Sequence, residues 1–229
     1  MNELVRAYYR GGNEEFREVV FLHEGDAAAP DLPLGWRQLA RIEGRVGLVR
    51  DFWLAKLPFH PKATPRIEAF FAQLDDVVPV VCRGVDEIWS ELVYSMADGS
   101  TFFRGLAPKR DSFPMEEWYP RDFVSFLSIH NGFGRLSEVG LIRGEELLDR
   151  RAELIEEFVQ SESPVKWKGK ILDPSALYPF YESLGVLQCF YGPVGNLDIC
   201  RLDGKMSELE HAVFPTFIEW LAAFLEGEE

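Results

Sequence analysis

Several places in this chain hold residue types that could do chemistry. His23-Glu24-Gly25-Asp26 offers an imidazole and two carboxylates close together, a donor set that a divalent metal accepts. Zinc peptidase chemistry needs a second His four residues further along a helix. None is present, so a solvated loop after a strand is the expected reading. Cys82 follows an apolar stretch and precedes Arg83, whose charge would favour the thiolate. The spacing indicates no partner His, and a buried, inert thiol is expected there and at Cys189 and Cys200. His130 closes an apolar helical face, where a cationic or hydrogen-bonded imidazole is favoured, so its expected role is structural. Gly132-Phe133-Gly134 looks like the start of a dinucleotide loop. It follows a helix rather than a strand, and Ser137 stands where the third Gly is required. Asp198 and Asp203 invite a paired-carboxylate reading. Asp203-Gly204 is more simply a turn, and Asp198 is expected to hold a hairpin loop. No Walker lysine motif and no G-x-S-x-G elbow occur. The expectation is a non-enzyme, with no catalytic residue, metal or cofactor.

The elements that would position these residues follow from composition and pattern. Hydrophobic residues make up 47% of the 229 and aromatics 14%, ample for a packed core. The net charge of −14 repels phosphate backbones and anionic lipid, which excludes direct nucleic-acid binding and favours a basic protein partner. Three cysteines without CxxC spacing fit a reducing compartment. The opening MNELVRAYYRGGNEEF has no continuous apolar run, and no stretch approaches the ~20 apolar residues of a membrane span. A cytoplasmic, membrane-independent protein is expected.

Residues 1–85 read as a mostly helical N-terminal extension packed on the core. Val49, Phe52, Trp53 and Leu57 share one helix face. Thr64-Pro65 opens a second helix, with Thr64 as N-cap and Ile67, Phe70, Phe71 and Leu74 buried. Val77 to Arg83 reads as a short buried strand, and Pro79 makes it an edge candidate. Residues 86–229 read as an α+β domain. Ile88 to Met96 and Thr101 to Gly105 form a hairpin around Asp98-Gly99. Pro120 to His130 is a helix that buries Phe123, Phe126 and Leu127, and Asn131-Gly132 stops it. Glu145 to Gln160 is a helix with a stripe of Leu148, Ala152, Ile155 and Val159, flanked by Leu147, Leu154 and Phe158. Gly185 to Tyr191 pairs with Asn196 to Leu202. A last helix near Pro215 buries Phe217, Leu221, Phe224 and Leu225. Strands in adjacent runs predict an α+β fold, an antiparallel sheet with flanking helices. Trp118 and Tyr119, before the Pro120 helix, are either partner-binding anchors or a hydrophobic staple.

Tyr119 to Gly132 (YPRDFVSFLSIHNG) resembles the signature of the SMI1/KNR4 family, the SUKH superfamily, through Pro120, Phe123, Phe126-Leu127 and Asn131-Gly132. Val139 to Leu148 is similar to that family's strand leading into its second helix. Leu187 to Gly204 is similar to its hairpin, and Phe217 to Gly227 to its closing helix. The hairpin has Gly195-Asn196 where the family often has Gly-Asp, with Asp198 two residues on. The resemblance implies a non-catalytic fold used for protein binding. Bacterial members resemble immunity proteins that neutralise toxins, and fungal relatives act as regulatory hubs for cell-wall synthesis. The expectation is an immunity protein masking a basic toxin, with a regulatory scaffold as the alternative.

Overall fold

The computed structural model describes residues 3–11, 18–22, 32–39, 44–109, 118–136, 138–160, 166–167, 170–192, 198–203, 209–211 and 214–227. His23-Glu24-Gly25-Asp26 and Gly195 lie outside the described residues.

The fold is α+β, with two five-stranded antiparallel sheets and flanking helices. The first sheet is a meander of β1 (Glu18–Phe21), β2 (Leu74–Arg83), β3 (Ile88–Met96), β4 (Phe102–Leu106) and β5 (Phe133–Arg135). Its β3–β4 hairpin is set by local chemistry. Asp98 accepts from Ser100 N and Thr101 N at 2.8 Å each, and from Thr101 Oγ1 at 2.7 Å. The bond from Thr101 Oγ1, with those from the two backbone amides, holds its carboxyl down to about 2.

The first 85 residues supply β1 and β2 to this sheet, and nine registered pairs from Leu74↔Met96 to Arg83↔Ile88 join β2 to β3. The expected division between residues 85 and 86 therefore falls inside a hairpin. β2 is not an edge strand either, which corrects the reading of Pro79. The register Phe21↔Val80 puts Leu22 opposite Pro79. Leu22 N donates to Pro79 O at 3.0 Å, but proline has no N–H to return the bond. The buried guanidinium of Arg45 supplies the missing donor, with Nη1 3.3 Å from Leu22 O. A side chain thus completes the ladder and lets proline sit inside the sheet.

Side chains alternate across this sheet. Leu92 and Tyr94 face the main core, while Val80, Cys82 and Val93 face a smaller cluster with Val5 and Tyr9 of α1 (Glu3–Gly11). The main core is closed by α2 (Arg45–Lys56), α3 (Ala63–Ala72) and α4 (Arg121–Leu127). Trp53 of α2 is its centre, with the rings of Phe71, Phe126 and Phe133 edge-on at 5.2, 5.0 and 5.3 Å. Phe52, expected on the same face, is partly exposed. Lys62, not Thr64, is the N-cap of α3. Thr64 lies inside the helix, and its Oγ1 accepts from His60 N at 2.9 Å.

The second sheet has the order β12-β11-β10-β9-β6. These are β6 (Gly140–Leu141), β9 (Leu177–Ser183), β10 (Val186–Tyr191), β11 (Asp198–Asp203) and β12 (Leu209–His211). A separate ribbon pairs β7 (Lys166–Trp167) with β8 (Lys170–Ile171). The two large sheets meet at β5 and β6 through glycine. A Cβ on Gly134 would stand 2.7 Å from Gly140 Cα, so only Gly permits this approach.

Two further helices flank the second sheet. On α5 (Leu147–Gln160) the buried residues are Leu147, Leu154 and Phe158. Of the expected stripe, Leu148 and Val159 are 43% and 77% exposed, Ala152 is exposed and Ile155 is half-buried. The flank, not the stripe, faces the core. On α6 (Phe217–Glu226) every residue from Phe217 to Leu225 is buried. This helix touches both sheets, with Phe224 near Phe103 and Trp220 near Phe180. Thr216 caps it by accepting from Glu219 N, and Asp122 of α4 accepts from Ile218 N at 3.0 Å. No helix among the described residues is long and apolar enough to cross a membrane.

Candidate functional site

The residues that resemble the family signature converge on the interior. Pro120 is the N-cap of α4, and Phe123, Phe126 and Leu127 are fully buried. Tyr119 is only 3% exposed, and its hydroxyl donates to Pro179 O at 3.2 Å. Its ring lies 5.3 Å from Phe123 and 6.1 Å from Phe190. A side chain so enclosed gives a partner no contact area, which removes Tyr119 as an anchor. Trp118 is half-buried beside Tyr178, with the Arg151 guanidinium 5.3 Å from its ring.

The helix ends at Leu127, earlier than His130. One of its last carbonyls, Phe126 O, accepts from both Ile129 N and His130 N, at 2.8 and 2.9 Å. Asn131-Gly132 forms the next turn. Gly132 has φ +102°, and Leu106 N donates to its carbonyl at 3.0 Å. Asn131 is buried and clamps the approach to α5. Its Oδ1 accepts from Gly144 N at 2.7 Å, and its Nδ2 donates to Glu145 Oε2 at 2.6 Å. Lys109 Nζ donates to the other oxygen of Glu145 at 2.7 Å. Burial opposes the charge on Glu145, but the bonds from Lys109 and Asn131 outweigh it and hold the carboxyl below its usual value.

His130 belongs to a buried relay. Trp53 Nε1 donates to the Tyr94 hydroxyl at 3.2 Å, and the Tyr94 oxygen lies 2.6 Å from His130 Nε2. His130 Nδ1 is 3.2 Å from Leu106 O, so Nδ1 carries the proton and Nε2 accepts from Tyr94. Burial drives the imidazole down to about 3 and the Tyr94 phenol well up. At neutral pH both are uncharged and satisfied, which makes the relay a structural brace. The ring lies so close to β4 that a Cβ on Gly105 would meet Nδ1 at 2.3 Å.

A cleft of about 260 Å³ opens beside Trp53. Its walls are Trp36 and Leu39 of the turn segment 32–39 and Leu48, Val49 and Phe52 of α2, over Trp53, Leu92 and Ile129. Leu48 and Phe52 are 40% and 38% exposed, so this wall is apolar out to the surface, and the exposed Gln38 adds one amide to the lining. The volume is below the roughly 300–1,000 Å³ of sites for small-molecule ligands and suits a single large side chain. Sequence reading missed the cleft because segment 32–39 has no periodicity. The exposed Phe52, placed on a core face by its spacing, was the available signal.

The remaining candidates do not assemble. Cys82 is buried, and burial with the neighbouring Glu91 carboxylate pushes its thiol up, overriding any help from a cation. Arg83 is engaged with Glu18 at 2.7 Å. Glu91 is itself fully buried, accepting from Tyr9 Oη at 2.5 Å and Trp89 Nε1 at 3.0 Å, with Arg104 at 3.6 Å. These bonds pin α1 to the sheet. Cys189 and Cys200 are buried partners across β10 and β11, and burial raises the Cys189 thiol. Asp198 and Asp203 lie at opposite ends of β11, their backbones roughly 17 Å apart at the strand rise. Asp198 is exposed, opposite Tyr191. Among the described residues no group of three metal-ligating side chains gathers. Comparison of the chain with protein-family models, curated proteins and solved structures finds no match.

Proposed function

We propose that this chain is a non-enzymatic protein-binding module of the SMI1/KNR4 kind, an immunity protein that masks a basic toxin. The observation that supports it best is the cleft beside Trp53. It is concave, lined mostly by apolar side chains with the amide of Gln38 beside them, and sized for one side chain, the form of a pocket that receives an interface hot spot. The motif residues from Pro120 to Gly132 contribute indirectly, by fixing the core that floors it.

The charge inventory supports a basic partner. The chain carries 38 acidic against 24 basic residues. Many cations are already held by neighbouring carboxylates, as in Arg50–Asp51, Lys109–Glu145 and Arg143–Glu146. The surplus is therefore negative and steers a cationic protein toward the surface.

The test is affinity capture from cells of the source organism, with wild-type chain and a Leu48→Asp/Phe52→Asp variant as baits. The wild type should retain a basic protein that the folded variant releases. Its association rate should fall as salt rises, because the Debye length is only about 8 Å at physiological ionic strength. Retention of the same protein by the variant, or a salt-independent rate, contradicts the reading.

A further inference from the structure

The outward face of α5 is another apolar surface that the fold leaves uncovered. At about 100° per residue, its apolar positions span roughly 160° of the helix circumference. The core uses one side of that arc, through Leu147, Leu154 and Phe158. The other side carries Leu148, Ala152, Ile155 and Val159, spaced i, i+4, i+7 and i+11, a stripe about 16 Å long. Single exposed leucines and valines are ordinary, but a continuous helical stripe is not.

Its surroundings are acidic. Asp149, Glu153 and Glu156 border the stripe on the side away from the core and are exposed. The two arginines of the helix are turned to other work. Arg150 is held by Glu182 at 2.9 Å, by Glu157 at 3.1 Å and, from the rim of the stripe, by Glu153 at 3.4 Å. Arg151 donates to the carbonyls of Leu177 and Ser175 and stacks on Tyr178 and Trp118. No basic residue occupies the last turn, although the negative end of the helix dipole favours one there, and Glu156 and Glu157 stand in its place.

We infer that the outward face of α5 is a docking surface for a cationic amphipathic helix of a protein partner. The partner's apolar residues lie along Leu148, Ile155 and Val159, and its lysines or arginines meet Asp149 and Glu156. This is helix-on-helix docking, in which the side chains of two apolar stripes interdigitate and flanking charges set orientation. Trp118 borders the surface through Arg151. The inference rests on the reading of the chain as a protein-binding module, but not on the cleft, which is built from other elements.

The experiment uses the full chain and a fluorescent probe of about 14 leucines and lysines arranged at helical period, with a scrambled peptide of the same composition as control. Anisotropy titration should show saturable binding of the amphipathic peptide and at least tenfold weaker binding of the scramble. Leu148→Ser/Val159→Ser, which leaves net charge unchanged, should weaken binding about tenfold, and Glu156→Lys should also weaken it. Glu68→Lys on α3 has the same charge change at a distant exposed site and should matter less. Equal binding by wild type and the serine variant overturns the proposal, as does equal loss with Glu68→Lys. Vesicles of neutral and of anionic phospholipid are the other arm. Binding to either that is lost in the serine variant would make this face a membrane surface and overturn it. If the serine variant binds like wild type while the cleft variant still releases the captured protein, α5 alone is removed from the account.

Discussion

Helices α5 and α6 are both rich in apolar residues, yet the fold spends them differently. On α6 every side chain from Phe217 to Leu225 is buried, because the helix lies between two sheets and has no outward face. On α5 the sheet covers one side only, so half of a wide apolar arc stays in water. Apolar content alone does not measure contribution to the core. What decides it is how many neighbouring layers surround an element, and a residue left over by that geometry is available for another molecule.

The comparison is sharpened first at α6. Trp220 is fully buried, and its Nε1 donates to Gln188 Oε1 at 2.5 Å. Trp220→Ala should cost about 3–5 kcal/mol in urea unfolding, the largest effect expected of a single change. A cost below 1 kcal/mol would mean that α6 is not the shared core of the two sheets.

The inward side of the molecule uses its polar atoms as fully as its rings. Arg45→Met keeps much of the packing but strips Leu22 O of its donor beside Pro79. It should cost about 1–3 kcal/mol. Restoring the N–H by Pro79→Val in the same background should recover part of it, and no recovery would break the account of the ladder.

The relay predicts an acid response. His130 titrates lower in the folded chain, about 3 against 6.5 unfolded, so the unfolded state binds the extra proton between those values. Stability is therefore complete above pH 6.5 and falls as pH drops toward 3, by about 2 kcal/mol from this group at pH 5. Unfolding titrations at pH 7 and pH 5 should show that loss, and a His130→Gln variant should flatten it. Equal slopes would mean the imidazole is not held neutral.

Much of this architecture was legible where the signal is local. The β3–β4 hairpin follows from Asp98 and Gly99, the β10–β11 pair from the turn-forming sequence between the two strands, and the buried face of α4 from Phe123, Phe126 and Leu127. The illegible parts depend on distant neighbours. Pro79 argued for an edge because the donor that replaces its N–H comes from Arg45 on another element. Tyr119 read equally well as anchor or staple, and Pro179, Tyr178 and Phe190 decided for the interior. Asn131 looked like a helix stop, whereas its side chain holds the segment entering α5. On α5 two overlapping stripes share one period, and only the position of the sheet selects between them.

The smallest predicted effect on stability is also the most direct test. Leu148→Ser/Val159→Ser should leave the urea midpoint within about 0.5 kcal/mol of wild type, as for surface positions. In the same preparation its affinity for the amphipathic cationic peptide should fall about tenfold. Stability unchanged with affinity lost is the result this account predicts. Stability lost with affinity unchanged would place the stripe in the fold rather than in an interface, and would contradict it.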